Sequence, residues 1–333
     1  PQKFKMMVDI GISMTMVSAK DCSGCPSGSP FDATASHTFA NKSTALIDFS
    51  YLGGEIEGFI SDDTVAVGSL SVAKGEFLQM TELLSTGLPD SVSGVLGLAF
   101  GATRDTIAAP FWKTLIAANG AAAPEMGFWL SRDLAADNEQ GSEQESVGEF
   151  TFGGVNSSLY SGDIEFLNLA AGSAALGSWT LEISAITVGT KAVSITPNAT
   201  LATFDSTFDS ISGPDADVRA IYAAIPGSTG PLTGTATFLI PCNTTVSVSV
   251  SFGGQAWSIS AKDLVQDPVE SGACVGAFGG ASPTQLSGWR VGIPFLRNVY
   301  SVFRETPPSI GFAKLSTIAG GTGVYHSINS SAP

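Results

Sequence analysis

An all-β protein built from two related halves is what this sequence predicts, and three observations carry that expectation. The 333 residues include 38 Gly and 17 Pro, with 44% apolar and only 14% charged side chains. Such a mixture favours short strands and tight turns over long helices, and the length suffices for two domains or one large β unit with a well-buried core. Secondly, two apolar segments run straight into an aspartate: Met6-Met7-Val8-Asp9-Ile10-Gly11-Ile12 and Ala202-Thr203-Phe204-Asp205-Ser206-Thr207-Phe208. Thirdly, the order of strand, Asp loop, long β stretch and glycine-bearing buried strand occurs twice. Asp9 to Gly97 spans 88 positions and Asp205 to Gly292 spans 87, as a duplicated lobe would give.

Taken in order, Lys3 to Val8 is extended and ends at Asp9, and Ile12 to Val17 alternates like a second strand. Ile47 to Tyr51 and Ile56 to Val67, joined through Leu52-Gly53-Gly54-Glu55, form a long hairpin with an aromatic residue near its tip. Val92 to Phe100 is a short apolar run expected as buried strand, and Phe111 to Ala118 has helical spacing. Asp133 to Ser146 carries five acids with almost nothing apolar; it lacks regular calcium-ligand spacing and reads as a solvated loop. Gly148 to Gly154 resumes the sheet and leads to Ile164-Glu165-Phe166. Trp179 to Val193 enters the second copy, and Phe295 to Phe303 with Ile310-Gly311-Phe312 closes it. Three segments follow: an N-terminal lobe over 1–165, a C-terminal lobe over 166–314 and a flexible tail over 315–333.

A net charge of −15 argues against nucleic acid and anionic membrane surfaces as partners, since both are bound through Lys and Arg clusters. Cys22 and Cys25 are three positions apart; with only His37 and His326 to complete a metal site, a short-loop disulfide is the better reading. Cys242 and Cys274 would close a longer loop. Two disulfides imply an oxidising compartment, in keeping with sequons at Asn41, Asn156, Asn198, Asn243 and Asn329. With no apolar run of transmembrane length and no leader-type segment, the chain reads as a mature, secreted, extracellular form.

Either aspartate alone would pass for a turn residue satisfying its own backbone. With both halves in view, the chain resembles the pepsin-like aspartic proteases over nearly its whole length. The matching pieces are Val8-Asp9-Ile10-Gly11 and Phe204-Asp205-Ser206-Thr207 against the two Asp-Thr-Gly loops, Tyr51 against the flap tyrosine, and Ser93 to Ala99 against the Asp-Gly-Ile-Leu-Gly-Leu motif. The Cys242–Cys274 pair and Ser212-Gly213-Pro214 fit as well. The resemblance implies two β lobes, a central cleft and a β-hairpin flap, with Asp9 and Asp205 as a dyad sharing one proton around a water. It implies no cofactor and no metal, and a monomer that takes a peptide or protein ligand. It also implies a strand preceding the first loop, whereas eight residues precede Asp9. The expectation is a separate N-terminal fragment of the same precursor, or a sheet left with an open edge.

The departures shape the functional expectation. Ile10 stands where the family has a hydrogen-bonding Thr, while Ser206 keeps that capacity in the second loop. Gly11 is retained, but its counterpart is Thr207, which adds an obstructing branched side chain where the backbone must approach the dyad closely; Ile12 and Phe208 replace the hydroxyls that bond each carboxylate, and Met16 replaces the Trp that anchors the flap tyrosine. Each hydrogen bond lost to a carboxylate is worth about 1.5–3 kcal/mol, and about 1.4 kcal/mol is tenfold in rate. These losses predict a pseudo-protease, inactive or very weak as a hydrolase, that holds a peptide, protein or small ligand. The alternative is an active secreted acid endopeptidase using Asp9, Asp205 and a bound water. Asp209 reads as a solvated turn residue, and Glu55 and Glu57 as solubilising charges on the hairpin.

Overall fold

The computed structural model describes residues 1–85, 87–102, 110–120, 123–131, 148–269, 272–281 and 287–320. The acidic segment 133–146 and Asn329 lie outside these residues, as does the expected tail from 321 onward. The chain is mostly β and divides into two compact units: Pro1–Pro124 with Gly172–Trp179, and Glu125–Ala171 with Thr180–Pro333.

The first unit is organised on a seven-stranded sheet. Its long hairpin pairs Gly54–Val67 with Leu70–Leu84. The strand Ile47–Tyr51 folds onto Gly54–Val67 through a turn at Leu52 and Gly53, with Tyr51 opposite Gly54. Both turn residues have positive φ, 47° and 80°, the backbone that a two-residue hairpin turn requires. Beneath this hairpin Ile12, Met14, Met16, Phe49, Tyr51, Ile56, Leu78 and Met80 pack into one buried cluster. Residues 12–15 are not strand, contrary to the alternation; the strand starts at Met16 and runs to Ser23. Ile12, Ser13, Met14 and Thr15 are all buried, so their alternation reflects a loop enclosed on both sides. The helix Phe111–Ala118 is as expected. Trp179 returns to this unit, donating its indole N–H to the Leu98 carbonyl at 2.9 Å and packing against Phe100 and Trp112.

The second unit carries two five-stranded sheets. One runs Thr180–Glu182, Leu201–Phe204, Trp289–Val291, Ile211–Pro214 and Phe278–Ala281 in spatial order. Phe204 is fully buried among Phe252, Phe295 and Phe312, with ring centroids 5.3–5.8 Å apart. The helix Asp215–Ala223 was not anticipated, although Pro214 before it and acids in its first turn are ordinary start signals. The expected strand beginning at Phe295 starts instead at Val299, because Ile293–Leu296 is a single helical turn. The Cys22–Cys25 and Cys242–Cys274 disulfides are both formed. No helix among the described residues is long and apolar enough to cross a membrane.

The repeat appears as the same parallel pairing in each unit. Met6–Asp9 lies beside Gly94–Gly97, with Asp9 opposite Gly97. Leu201–Phe204 lies beside Trp289–Val291, and the Asp205 N–H donates to the Val291 carbonyl at 3.0 Å. In both places the aspartate lies beside a neighbouring strand that ends in, or is directly followed by, a glycine, Gly97 or Gly292.

Candidate active site

In the first unit the Asp9 side chain is buried, at 2% exposure, with Ile10 at 0% and Ile12 at 8% around it. A carboxylate in such surroundings needs hydrogen-bond donors. Its Oδ1 accepts the Gly11 N–H at 2.6 Å, the local loop that an aspartate forms with the backbone two residues on. Its Oδ2 accepts the Tyr51 hydroxyl at 2.7 Å. Tyr51 therefore is anchored, by the aspartate itself, although Met16 offers it no hydrogen bond. Ile12 belongs to the core that also contains Tyr51 and Met16, so its apolar side chain packs the base of the hairpin.

The second unit repeats the backbone motif. Asp205 Oδ1 accepts the Thr207 N–H at 2.9 Å and also the Thr207 hydroxyl at 2.7 Å. This corrects the expectation that the second carboxylate has lost its hydroxyl partner: Phe208 cannot supply one, but Thr207 does so from one position earlier. The same contact corrects the view of Thr207 as an obstruction, since its branched side chain is turned onto the carboxylate. Ser206 is half-buried. Phe208 is half-buried too, and its ring lies 5.1 Å from the guanidinium carbon of Arg290. Arg290 Nε is 3.9 Å from Asp205 Oδ2, an ion pair between residues 85 positions apart that no sequence motif marks. Its signal was one cation between the buried Trp289 and Val291.

Glycines complete each loop. A Cβ on Gly97 would collide with the carbonyl oxygen of Met14, and a Cβ on Gly292 with that of Phe208, so each Asp loop crosses a neighbouring strand at backbone contact distance. Among the remaining candidates, Asp209 is exposed, and so are Glu55 and the sequon residues Asn41, Asn198 and Asn243; Glu57 is half-buried. Asn156 is half-buried and donates its amide to both oxygens of Glu149 at 2.8 and 3.1 Å. Among the described residues no three His, Cys, Asp or Glu side chains gather as a metal site would need.

With this geometry in place, comparison with known proteins is decisive: residues 1–315 match the family described as eukaryotic aspartyl protease. The chain belongs to the aspartyl protease family. Its similarity extends to a major aspartyl peptidase 1 of Cryptococcus neoformans var. grubii, 30% identical over 97% of this chain and 67% of that protein. A cathepsin D of Chionodraco hamatus is 25% identical over 94% of this chain and 78% of its own length. Renin of Ovis aries is 26% identical over 94% and 77%.

Proposed function

We propose that this aspartyl protease family member is an acid endopeptidase, with Asp9 and Asp205 sharing one proton around a water that attacks the peptide carbonyl. The observation that carries this reading is the state of the two loops. Each carboxylate keeps the backbone N–H two residues on, and Asp205 also takes the Thr207 hydroxyl. The losses read from the sequence thereby shrink, because the hydroxyl that Phe208 cannot offer is supplied by Thr207. One carboxylate serves as base toward the water and the other as acid toward the carbonyl oxygen, the division of labour that a shared proton allows. The similar Cryptococcus neoformans var. grubii protein is named as an aspartyl peptidase, which agrees with this reading. The disulfides suit an oxidising, extracellular setting.

A second reading, a pseudo-protease that holds a peptide without cutting it, is favoured by Tyr51 donating directly to Asp9 Oδ2. That bond occupies an oxygen the catalytic water would use, so turnover requires the hairpin to release it. Incubation with a diverse peptide mixture from pH 2.5 to 6, beside Asp9→Asn and Asp205→Asn, separates the two. The endopeptidase reading expects cleavage that falls by about 10³-fold or more in each variant. Binding without cleavage by folded protein at every pH would overturn it in favour of the pseudo-protease.

A further inference from the structure

We propose that Arg290, together with the Ser212 hydroxyl, recognises a carboxylate on the bound peptide, so that acidic residues close to the engaged bond are preferred. The proposal rests on the peptide-binding reading above and on contacts made within the second unit alone.

Arg290 lies on the middle strand of a five-stranded sheet. Its neighbours Trp289 and Val291 point into the core, at 1% and 3% exposure, so by strand alternation Arg290 projects from the opposite face. The row across that face is short and mostly polar: Thr180 opposite Thr203, Thr203 opposite Arg290, Arg290 opposite Ser212, and Ser212 opposite Gly279. Thr180 and Thr203 bond one another at 2.9 Å. With only small side chains on either flank, the guanidinium remains open, and its side chain is 49% exposed.

A guanidinium carries five N–H donors. Among the described residues the Arg290 guanidinium makes no hydrogen bond, and its one ion pair, 3.9 Å from Nε to Asp205 Oδ2, is too long to count as a hydrogen bond. The Ser212 hydroxyl likewise has no hydrogen-bond partner among the described residues. Phe208 backs the guanidinium at 5.1 Å, which helps to fix its plane. A planar fork of donors with a hydroxyl beside it is the arrangement that takes a carboxylate through two parallel bonds. In a chain of net charge −15, an open cation so near one of the two family aspartates is best explained by recognition. A peptide engaged at Asp205 brings its adjoining residues within reach of Arg290. Side-chain and C-terminal carboxylates share the required chemistry.

The test uses the full chain and peptide pairs that differ only by Glu or Gln at one position, scanned along the sequence, plus pairs with free or amidated C-termini. At pH 5.5 the expected outcome is a preference of roughly tenfold in kcat/KM, or in affinity if nothing is cut, for the carboxylate-bearing member. It should drop toward unity in Arg290→Gln, persist in part in Arg290→Lys, and weaken in Ser212→Ala. It should also fade near pH 3, where the peptide carboxyl protonates. Discrimination confined to the Glu/Gln pairs would assign a side-chain carboxylate; discrimination confined to the terminal pairs would assign a chain end. Equal handling of both members by the wild-type protein, or an undiminished ratio in Arg290→Gln, would overturn the proposal and leave peptide binding standing. Failure of every peptide, neutral ones included, to bind or be cut would overturn the peptide reading and this proposal with it.

Discussion

The loop at Asp9 and the loop at Asp205 meet the same requirement by different routes. Asp9 is 2% exposed, lies among Ile10 and Ile12, and draws its hydroxyl from Tyr51, 42 positions away on the hairpin. Asp205 is half-buried, is followed by Ser206 and Thr207, and draws its hydroxyl from two positions away. One carboxylate is therefore held by tertiary structure and the other by its own turn. The difference teaches that the first loop is complete only when the hairpin is folded over it, whereas the second is assembled locally.

What the loops share should be the most costly to disturb. Gly97→Ala and Gly292→Ala each push a methyl group into a carbonyl oxygen of the crossing loop. Both are expected to destabilise the protein by about 3 kcal/mol or more, toward the severe end of single substitutions, as measured by urea unfolding. A cost at one glycine alone would break the equivalence of the two crossings.

The hydroxyls sharpen the contrast. Tyr51→Phe removes a buried bond to a carboxylate and should cost about 1.5–3 kcal/mol. Thr207→Val should cost less, because Asp205 is partly solvated, while Thr207→Ser should restore most of what Val loses. In hydrogen exchange, Tyr51→Phe should loosen both the hairpin and the Asp9 loop, whereas Thr207→Val should affect its own loop only. A larger stability loss in Thr207→Val than in Tyr51→Phe would reverse the assignment of local and long-range support.

The smallest expected effect concerns an acid outside both loops. The Asp32 carboxyl is held down to about 2, chiefly by the Lys20 ammonium and next by the Thr34 hydroxyl. A depressed carboxyl adds stability above its unfolded value, near 3.9, and the contribution disappears as pH falls through about 2. Asp32→Asn should thus be slightly less stable than wild type at pH 5, with the gap closing between about pH 4 and 2 in thermal scans. Because the pair is exposed, salt should shrink the gap as well.

Much of this was legible in the sequence for physical reasons. An apolar strand delivering an aspartate and a glycine-bearing strand beside it are short-range patterns, and both pairs were found where the sequence put them. The hairpin from Ile47 to Val67 was readable from its glycine turn, with Tyr51 at its tip. Contacts that depend on where side chains turn were not readable. Thr207 looked like an obstruction because its place calls for glycine, yet its hydroxyl bends back to Asp205. Tyr51 looked unanchored because Met16 cannot bond it, and nothing in the order of residues shows that Asp9 takes that role. The segment Ile12 to Thr15 alternates like a strand, but enclosure on both sides makes it a buried loop. Arg290 escaped notice because a lone cation between apolar residues usually marks only a solvated face.

The return of Gly172–Trp179 to the first unit has a consequence for dissecting the gene. A fragment ending at Pro124 would omit Trp179, leaving Phe100 and Trp112 without their ring partner and the Leu98 carbonyl without its indole donor. Neither 1–124 nor 125–333 corresponds to a whole unit. Splitting this protein for complementation or display therefore means supplying the eight-residue segment to the first fragment in trans, as a peptide that docks where the intact chain already threads it.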